Sequence, residues 1–416
     1  MNSSAVERTI DAIWRIESAK VIAGLTRIVR DVALAEDLAQ DALVIALEKW
    51  PDTGIPDNPG AWLMTTAKRR AIDYLRRNKK RDQKYEELGR SGELYSEDDI
   101  DMAMDGEVGD DILRLIFTTC HPALSQEARV ALTLRLLCGL TTDEIAHAFL
   151  VAETTIAQRI VRAKRTLSAS RSDFEVPVGE QLKERLPAVL EVIYLMFNEG
   201  YTATSGGNLI RPLLCQEALR LGRILAEIAR NEPEVHGLVA LMEIQSSRFK
   251  TRVNATGEPI LLMDQNRVLW DQLLIRRGLS ALERAQSIGR PLGPYSLQAA
   301  ITACHAEARI ASETNWTRIA ALYEALSRIM PSPIVELNRA VAIAMAFGSA
   351  YGLQIVDELN TVPALKDYHL LPSVRGDLLA KLDRMDEARK EFEHAASLTR
   401  NERERVLLLK RAAECE

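Results

Sequence analysis

Aromatic residues make up only 5% of this 416-residue chain, and its five cysteines are scattered. Each shortage excludes something. Few Phe, Trp and Tyr, set against abundant Ala, Leu, Arg and Glu, favour helix over strand. Cys120, Cys138, Cys215, Cys304 and Cys415 form no C-x-x-C pair, so neither a disulfide framework nor a zinc ribbon is expected. Cys120 and Cys304 are each followed by a histidine, His121 and His305, but a metal site needs more ligands at workable spacing. No metal and no cofactor are expected. No stretch reaches the apolar length that spans a bilayer, and Met1 to Asp11 lacks a basic-then-apolar secretory pattern. The expectation is a cytoplasmic protein with no membrane partner. There is no basic excess either. The net charge of −6 is not that of a protein that coats DNA, so any DNA contact must come from local patches.

What is present points to several helical domains. The length exceeds what one ordinary core organises, and a 47% hydrophobic fraction is that of a globular chain. Apolar residues recur at helical spacing and no sustained alternation of period two appears, so the fold class is all-α. Residues 6–81 form a first helical block that ends basic. Residues 82–110 hold Glu86, Glu87, Glu93, Glu97, Asp98, Asp99, Asp101, Asp105, Glu107 and Asp110, with Asp111 closing the run. They read as a flexible acidic linker. Residues 111–171 are again helical and again end basic. After a break at Ser172 to Gly179, residues 180–416 read as helices punctuated by Pro and Gly. Within them, Ser332–Leu359 and Leu371–Leu398 each suggest a helical hairpin. The second resembles part of a tetratricopeptide repeat, with Ala388 and Ala395 letting helices approach closely.

Three segments carry chemistry. Thr141 and Glu144 have capping-box spacing and open a helix whose apolar face is Ile145, Ala146 and Phe149. A turn over residues 150–153 leads to a second helix, 154–167, with apolar Ile156, Ile160, Ala163 and Leu167. Its other face shows Thr154, Thr155, Gln158, Arg159, Arg162 and Arg165. This is a helix-turn-helix whose arginines and glutamine match base edges in the major groove. The second segment is basic, with Lys68, Arg69, Arg70, Arg76, Arg77, Lys79, Lys80 and Arg81 around Asp73. Trp62 and Tyr74 are interleaved, a pairing of charge and stacking surface that suits single-stranded DNA. The third is an acidic helix with Glu36, Asp37, Gln40, Asp41 and Glu48. Asp37, Asp41 and Glu48 share one face, and Leu38, Ala42 and Ile45 share another.

The order of these segments resembles the extracytoplasmic-function sigma factors of bacterial RNA polymerase. Ala35-Glu36-Asp37-Leu38-Ala39-Gln40-Asp41-Ala42 resembles the segment that binds the polymerase β′ clamp helices. The resemblance makes Glu36, Asp37, Gln40 and Asp41 the residues that contact core polymerase, itself met through β′ and the β subunit. Ala61-Trp62-Leu63 through Arg77 is similar to the part that melts and reads the minus-ten element. Trp62, Lys68, Arg69, Arg70, Asp73, Tyr74, Arg76 and Arg77 are then its DNA contacts. Arg69 stands where the family commonly has asparagine. Glu144-Ile145-Ala146 through Arg165 resembles the minus-thirty-five reader. The resemblance implies a non-enzymatic protein with promoter DNA as its other partner, and an acidic linker that follows the polymerase channel taken by RNA. The family's short form ends near Leu167. The remainder resembles the tetratricopeptide-like extension of one sigma subgroup, which implies regulation in cis or through a protein or peptide partner. Two other readings stay open. One is a one-component repressor whose sensor is the C-terminal part. The other is an enzyme in that part, using Glu199 as general base with Asp264 or Asp271, beside the glycines of Ser205-Gly206-Gly207-Asn208.

Overall fold

The computed structural model describes residues 3–86, 111–148, 151–170, 174–202, 210–254, 257–399 and 401–415. Among them the regular structure is helical, and the only β contact is an isolated bridge between Val253 and Pro259. The acidic linker expected over 82–110 lies outside the described residues beyond Glu86. The chain divides into two compact units, 1–196 and 197–416.

The first unit begins with α1 (Ser3–Val29), α2 (Val32–Thr53) and α3 (Pro59–Glu86), which pack on one another. Arg30 takes a left-handed conformation between α1 and α2. Asp31 then caps α2, its side chain accepting from Leu34 N at 2.9 Å. Asn58 accepts from Ala61 N at 3.0 Å, with Pro59 at the first position of α3. Leu63, Ala67, Ala71 and Leu75 recur every four residues and are all buried, which leaves the basic side chains of α3 to solvent.

The unit continues with α4 (Asp111–Thr119), α5 (Gln126–Leu136), α6 (Thr142–Ala148) and α7 (Glu153–Ser170). Asp111 does not belong to a flexible linker. It is fully buried at the start of α4, within 2.9 Å of Arg114 and 3.5 Å of Arg27. A carboxylate at a helix N-terminus between two guanidiniums is held there by both the dipole and the charges. The capping box forms as the spacing predicts: Glu144 N donates to Thr141 Oγ1 at 3.1 Å and Thr141 N donates to Glu144 Oε2 at 2.8 Å. On α7, Ile156, Ile160, Ala163 and Leu167 are the buried stripe. Phe149 and Leu150 lie outside the described residues. The following helix, α8 (Gly179–Tyr201), crosses from the first unit into the second.

The second unit continues through α9 (Pro212–Ile228), α10 (Pro233–Ser246), α11 (Gln272–Ser287), α12 (Pro294–Glu307) and α13 (Trp316–Ile329). Helix α10 is buried nearly all round because α9, α11 and α12 all pack on it. Close approach is achieved with Gly237, where a Cβ would meet the Ser296 backbone, and with a borrowed cap. Glu234 of α10 accepts from Gly293 N, Tyr295 N, Ser296 N and Ser296 Oγ at the start of α12. Three backbone donors and one hydroxyl at the helix start are thus satisfied by one carboxylate.

Both hairpins expected at the C-terminus form. The first is α14 (Pro333–Phe347) with α15 (Ser349–Leu359). The second is α16 (Leu370–Ala380) with α17 (Met385–Leu398), and α18 (Glu402–Ala413) packs on α17. Ala388 and Ala395 are fully buried, as predicted, and Gly376 lies against the Phe392 ring. One continuous core runs through these helices, including Leu353, Val356, Leu378, Phe392 and Leu408. The Cys-His pairs are buried or half-buried. Burial pushes the Cys120 thiol up to about 12 and the His305 imidazole down to about 4, so both stay neutral. No cluster of three metal-binding side chains exists among the described residues.

Candidate nucleic-acid interface

Three faces of the first unit carry the residues singled out from sequence. On α3, Arg69, Arg70, Asp73, Tyr74, Arg76 and Arg77 are exposed, and Trp62 and Lys68 are half-buried. Trp62 packs edge-on to the buried Trp50 with ring centroids 5.2 Å apart. That contact fixes one edge of the indole and leaves the rest beside a cavity of about 250 Å³. Ile45 and Lys49 of α2 line it with Trp62, Thr66, Arg69 and Arg70 of α3. An aromatic wall with three cations around a space this size can hold an unstacked base and its phosphate. Lys49 and Thr66 were not anticipated, because the sequence places Lys49 on a different helix. The side chains of Lys79, Lys80 and Arg81 are outside what the structure describes.

On α7, Thr154, Thr155, Gln158, Arg162 and Arg165 are exposed and Arg159 is half-buried. They lie opposite the buried stripe, as a groove-reading helix requires.

The acidic helix divides in two. Asp37 and Asp41 are exposed, and the same outer face continues with Val44, 52% exposed, and Glu48. This stripe, spaced four, three and four, has at its centre an apolar side chain that the described helices leave half uncovered. The sequence signal for Val44 was its position on the Asp37–Asp41–Glu48 line. Glu36 and Gln40 are placed differently. Glu36 is buried, and Gln40 Nε2 donates to its Oε1 at 3.1 Å. Arg135 of α5 bonds Glu36 at 3.2 Å, and Lys164 of α7 forms a second ion pair with it. Nearby, Ser168 Oγ donates to Asp31 at 2.5 Å, and Arg15 of α1 reaches Glu144 at 3.2 Å. The four residues assigned together to polymerase contact therefore fall into an exposed pair, Asp37 and Asp41, and a pair turned toward α5 and α7.

Comparison with known proteins matches these two halves separately. Residues 15–81 match sigma-70 region 2, and residues 114–167 match sigma-70 region 4. Residues 185–286 match a family of unknown function, DUF6596. The ECF RNA polymerase sigma factor SigK of Mycobacterium sp. (strain KMS) is 29% identical over 37% of this chain and 80% of its own length. The probable ECF RNA polymerase sigma factor SigI of Mycobacterium tuberculosis (strain CDC 1551 / Oshkosh) is 28% identical over 39% of this chain and 55% of its own. The chain belongs to the extracytoplasmic-function sigma factors. Its extension is shared. An uncharacterized protein, R00370, of Rhizobium meliloti (strain 1021) is 41% identical over 92% of this chain and 90% of its own length. No solved structure matches.

As a sigma factor it acts in transcription initiation, and region 2 corresponds to α1–α3 while region 4 corresponds to α4–α7. No described helix is long and apolar enough to cross a membrane. Two of the residues considered for an enzyme site have structural tasks. Glu199 is buried and paired with Arg211 at 3.2 Å. Asp271 caps α11, accepting from Leu273 N and Leu274 N. Ser205 to Asn208 lie outside the described residues.

Proposed function

We propose that this sigma factor binds core RNA polymerase through the outer stripe of α2 and directs it to promoters read by α3 and α7. The observation that carries the reading is the juxtaposition on region 2. An exposed acidic stripe with Val44 at its centre lies on α2, and α2 and α3 together frame the Trp62 cavity. Asp37 and Asp41 would meet the β′ clamp helices, where charge sets orientation and on-rate. Trp62, Arg69 and Arg70 would hold a flipped minus-ten base. Gln158, Arg159 and Arg162 would read the minus-thirty-five element, each good bidentate contact contributing about 1–3 kcal/mol of discrimination.

The experiment is promoter opening with 2-aminopurine in the minus-ten element and saturating polymerase. Stacking of one base on one aromatic is worth about 1–3 kcal/mol. Trp62→Ala should therefore lower the open-complex equilibrium by roughly 5- to 150-fold while leaving closed-complex formation intact. An unchanged fluorescence rise would remove Trp62 from the account.

The contact between region 2 and region 4 describes a closed form that cannot read both elements together. Promoter elements centred 25 base pairs apart are about 85 Å apart along B-DNA. A compact unit of this length is about 40 Å across, and Lys164 on the reading helix touches α2 directly. Engaging polymerase and promoter must separate the two regions and release Glu36. The extension from α8 onward we assign to regulation, in cis or through a partner, because stacked helical hairpins offer the kind of surface that binds peptides and domains. Deleting residues 202–416, which spares α8, should change promoter activity in cells several-fold. Unaltered activity with a folded product would end this assignment.

A further inference from the structure

We propose that the second unit contains a binding site for a small organic monoanion with an apolar body. The site is a cavity of about 250 Å³ between the turn that follows α10, the 259–265 loop, the start of α16 and one face of α18. Its volume takes about eight water-sized groups, the scale of a medium-chain or single-ring ligand.

Two arginines form its cationic end. Arg252 is 91% buried, with 9% of its surface exposed. It donates to Tyr201 O and, at 3.1 Å, to Thr202 Oγ1, and its guanidinium lies 3.6 Å from the centre of the Tyr201 ring. Arg248, half-buried, donates from Nε to Gln265 Oε1 at 3.3 Å. Arg267 stands behind them, bonded only to neutral oxygens of His305, Ala308 and Thr314. Among the described residues none of the three has a carboxylate within ion-pair distance, although 53 basic residues share 59 acidic ones across the chain. Residues 203–209, which follow Thr202 directly, contain no Asp or Glu. A buried guanidinium whose hydrogen-bond partners are all neutral carries a desolvation cost that a bound anion offsets. That burial already pushes the Arg252 pKa down.

The rest of the wall fixes the ligand's shape. Ile260, Leu262, Leu370, Leu407 and Leu408 supply an apolar body. The other charges are occupied. Glu404 accepts from Thr399 Oγ1 at 2.8 Å and faces His369 at 3.3 Å, and Arg411 pairs with Asp377 and stacks on Phe392. Glu404, which lines the same cavity and feels the charge of Arg252, disfavours a second negative charge, so the ligand is a monoanion with its head at Arg248 and Arg252. A carboxylate and a sulfate ester, each carrying a single negative charge, offer the same forked acceptor to arginine.

Calorimetric titration of the full chain with octanoate, octyl sulfate and octanol tests this. At least one of the two anions should bind saturably, and the one that binds tighter identifies the head group. Octanol should bind at least about tenfold more weakly, the usual effect of losing a charge-assisted hydrogen bond. Arg248→Met should weaken the anion to a similar degree, and Leu407→Trp, which fills the cavity from a half-buried position, should abolish binding with helicity unchanged. Octanol binding as well as the anions, neither anion binding, or anion binding unaffected by Leu407→Trp would each overturn the site.

Discussion

Reversing Asp37 and Asp41 together to lysine should abolish the association of this protein with core polymerase and leave its fold unchanged. Both carboxylates are exposed and, among the described residues, neither bonds a neighbouring helix, so their loss removes no packing and no cap. Surface substitutions of this kind change stability by about 0.5 kcal/mol or less. Their effect on encounter is larger. Steering by complementary charge raises association rates by roughly 10- to 1,000-fold at low salt, and two reversals turn attraction into repulsion. The wild-type association rate should fall steeply as salt rises, whereas the double variant should be slow at every salt concentration. Val44→Ala should weaken binding by a different route, through dissociation, because it removes apolar contact rather than charge. Surface-immobilised polymerase and a salt series separate the two effects. Equal association rates for wild type and the double variant would show that another face docks.

Glu36→Lys should open the first unit. Glu36 is buried between Arg135 and Lys164, so the substitution places a third cation beside two. Breaking a buried ion pair by removing one partner costs about 3–5 kcal/mol, which shifts the closed–open ratio a hundredfold or more. The same change at an exposed pair such as Arg15–Glu144 should shift it little. Dyes at Thr65→Cys on α3 and Thr155→Cys on α7, with Cys415→Ser as background, report the distance. The other four cysteines are buried. Transfer efficiency should be high in the wild type and low in Glu36→Lys, and adding polymerase to the wild type should lower it. Lys164→Glu should open the unit less, since Arg135 still holds Glu36. High transfer in Glu36→Lys would mean that other contacts hold the regions together.

The sequence made legible whatever depends on residues close in the chain. The capping box at Thr141, the buried stripe of α7 and the hairpins around Ala388 are local patterns, and local hydrogen bonds and helical periodicity produce them. Glu36 was not separable from Asp37 on those grounds. They differ by one position on the same helix, and the side chains that bury Glu36 lie 99 residues and more away, at Arg135 and Lys164. The Trp62 cavity was half legible: its α3 side follows from the motif, and its α2 side, Ile45 and Lys49, follows only from packing. The arginines of the second unit carry no motif at all. Arg248, Arg252 and Arg267 look like ordinary surface charges until the fold shows that, among the described residues, their hydrogen bonds go to neutral oxygens.

The central claim is most directly tested by run-off transcription with core polymerase on a promoter from this protein's own gene neighbourhood. Adding the chain should produce a promoter-specific transcript that disappears with the Asp37→Lys, Asp41→Lys variant. A chain that binds promoter duplex tightly without polymerase, and yields no transcript with it, would contradict the account.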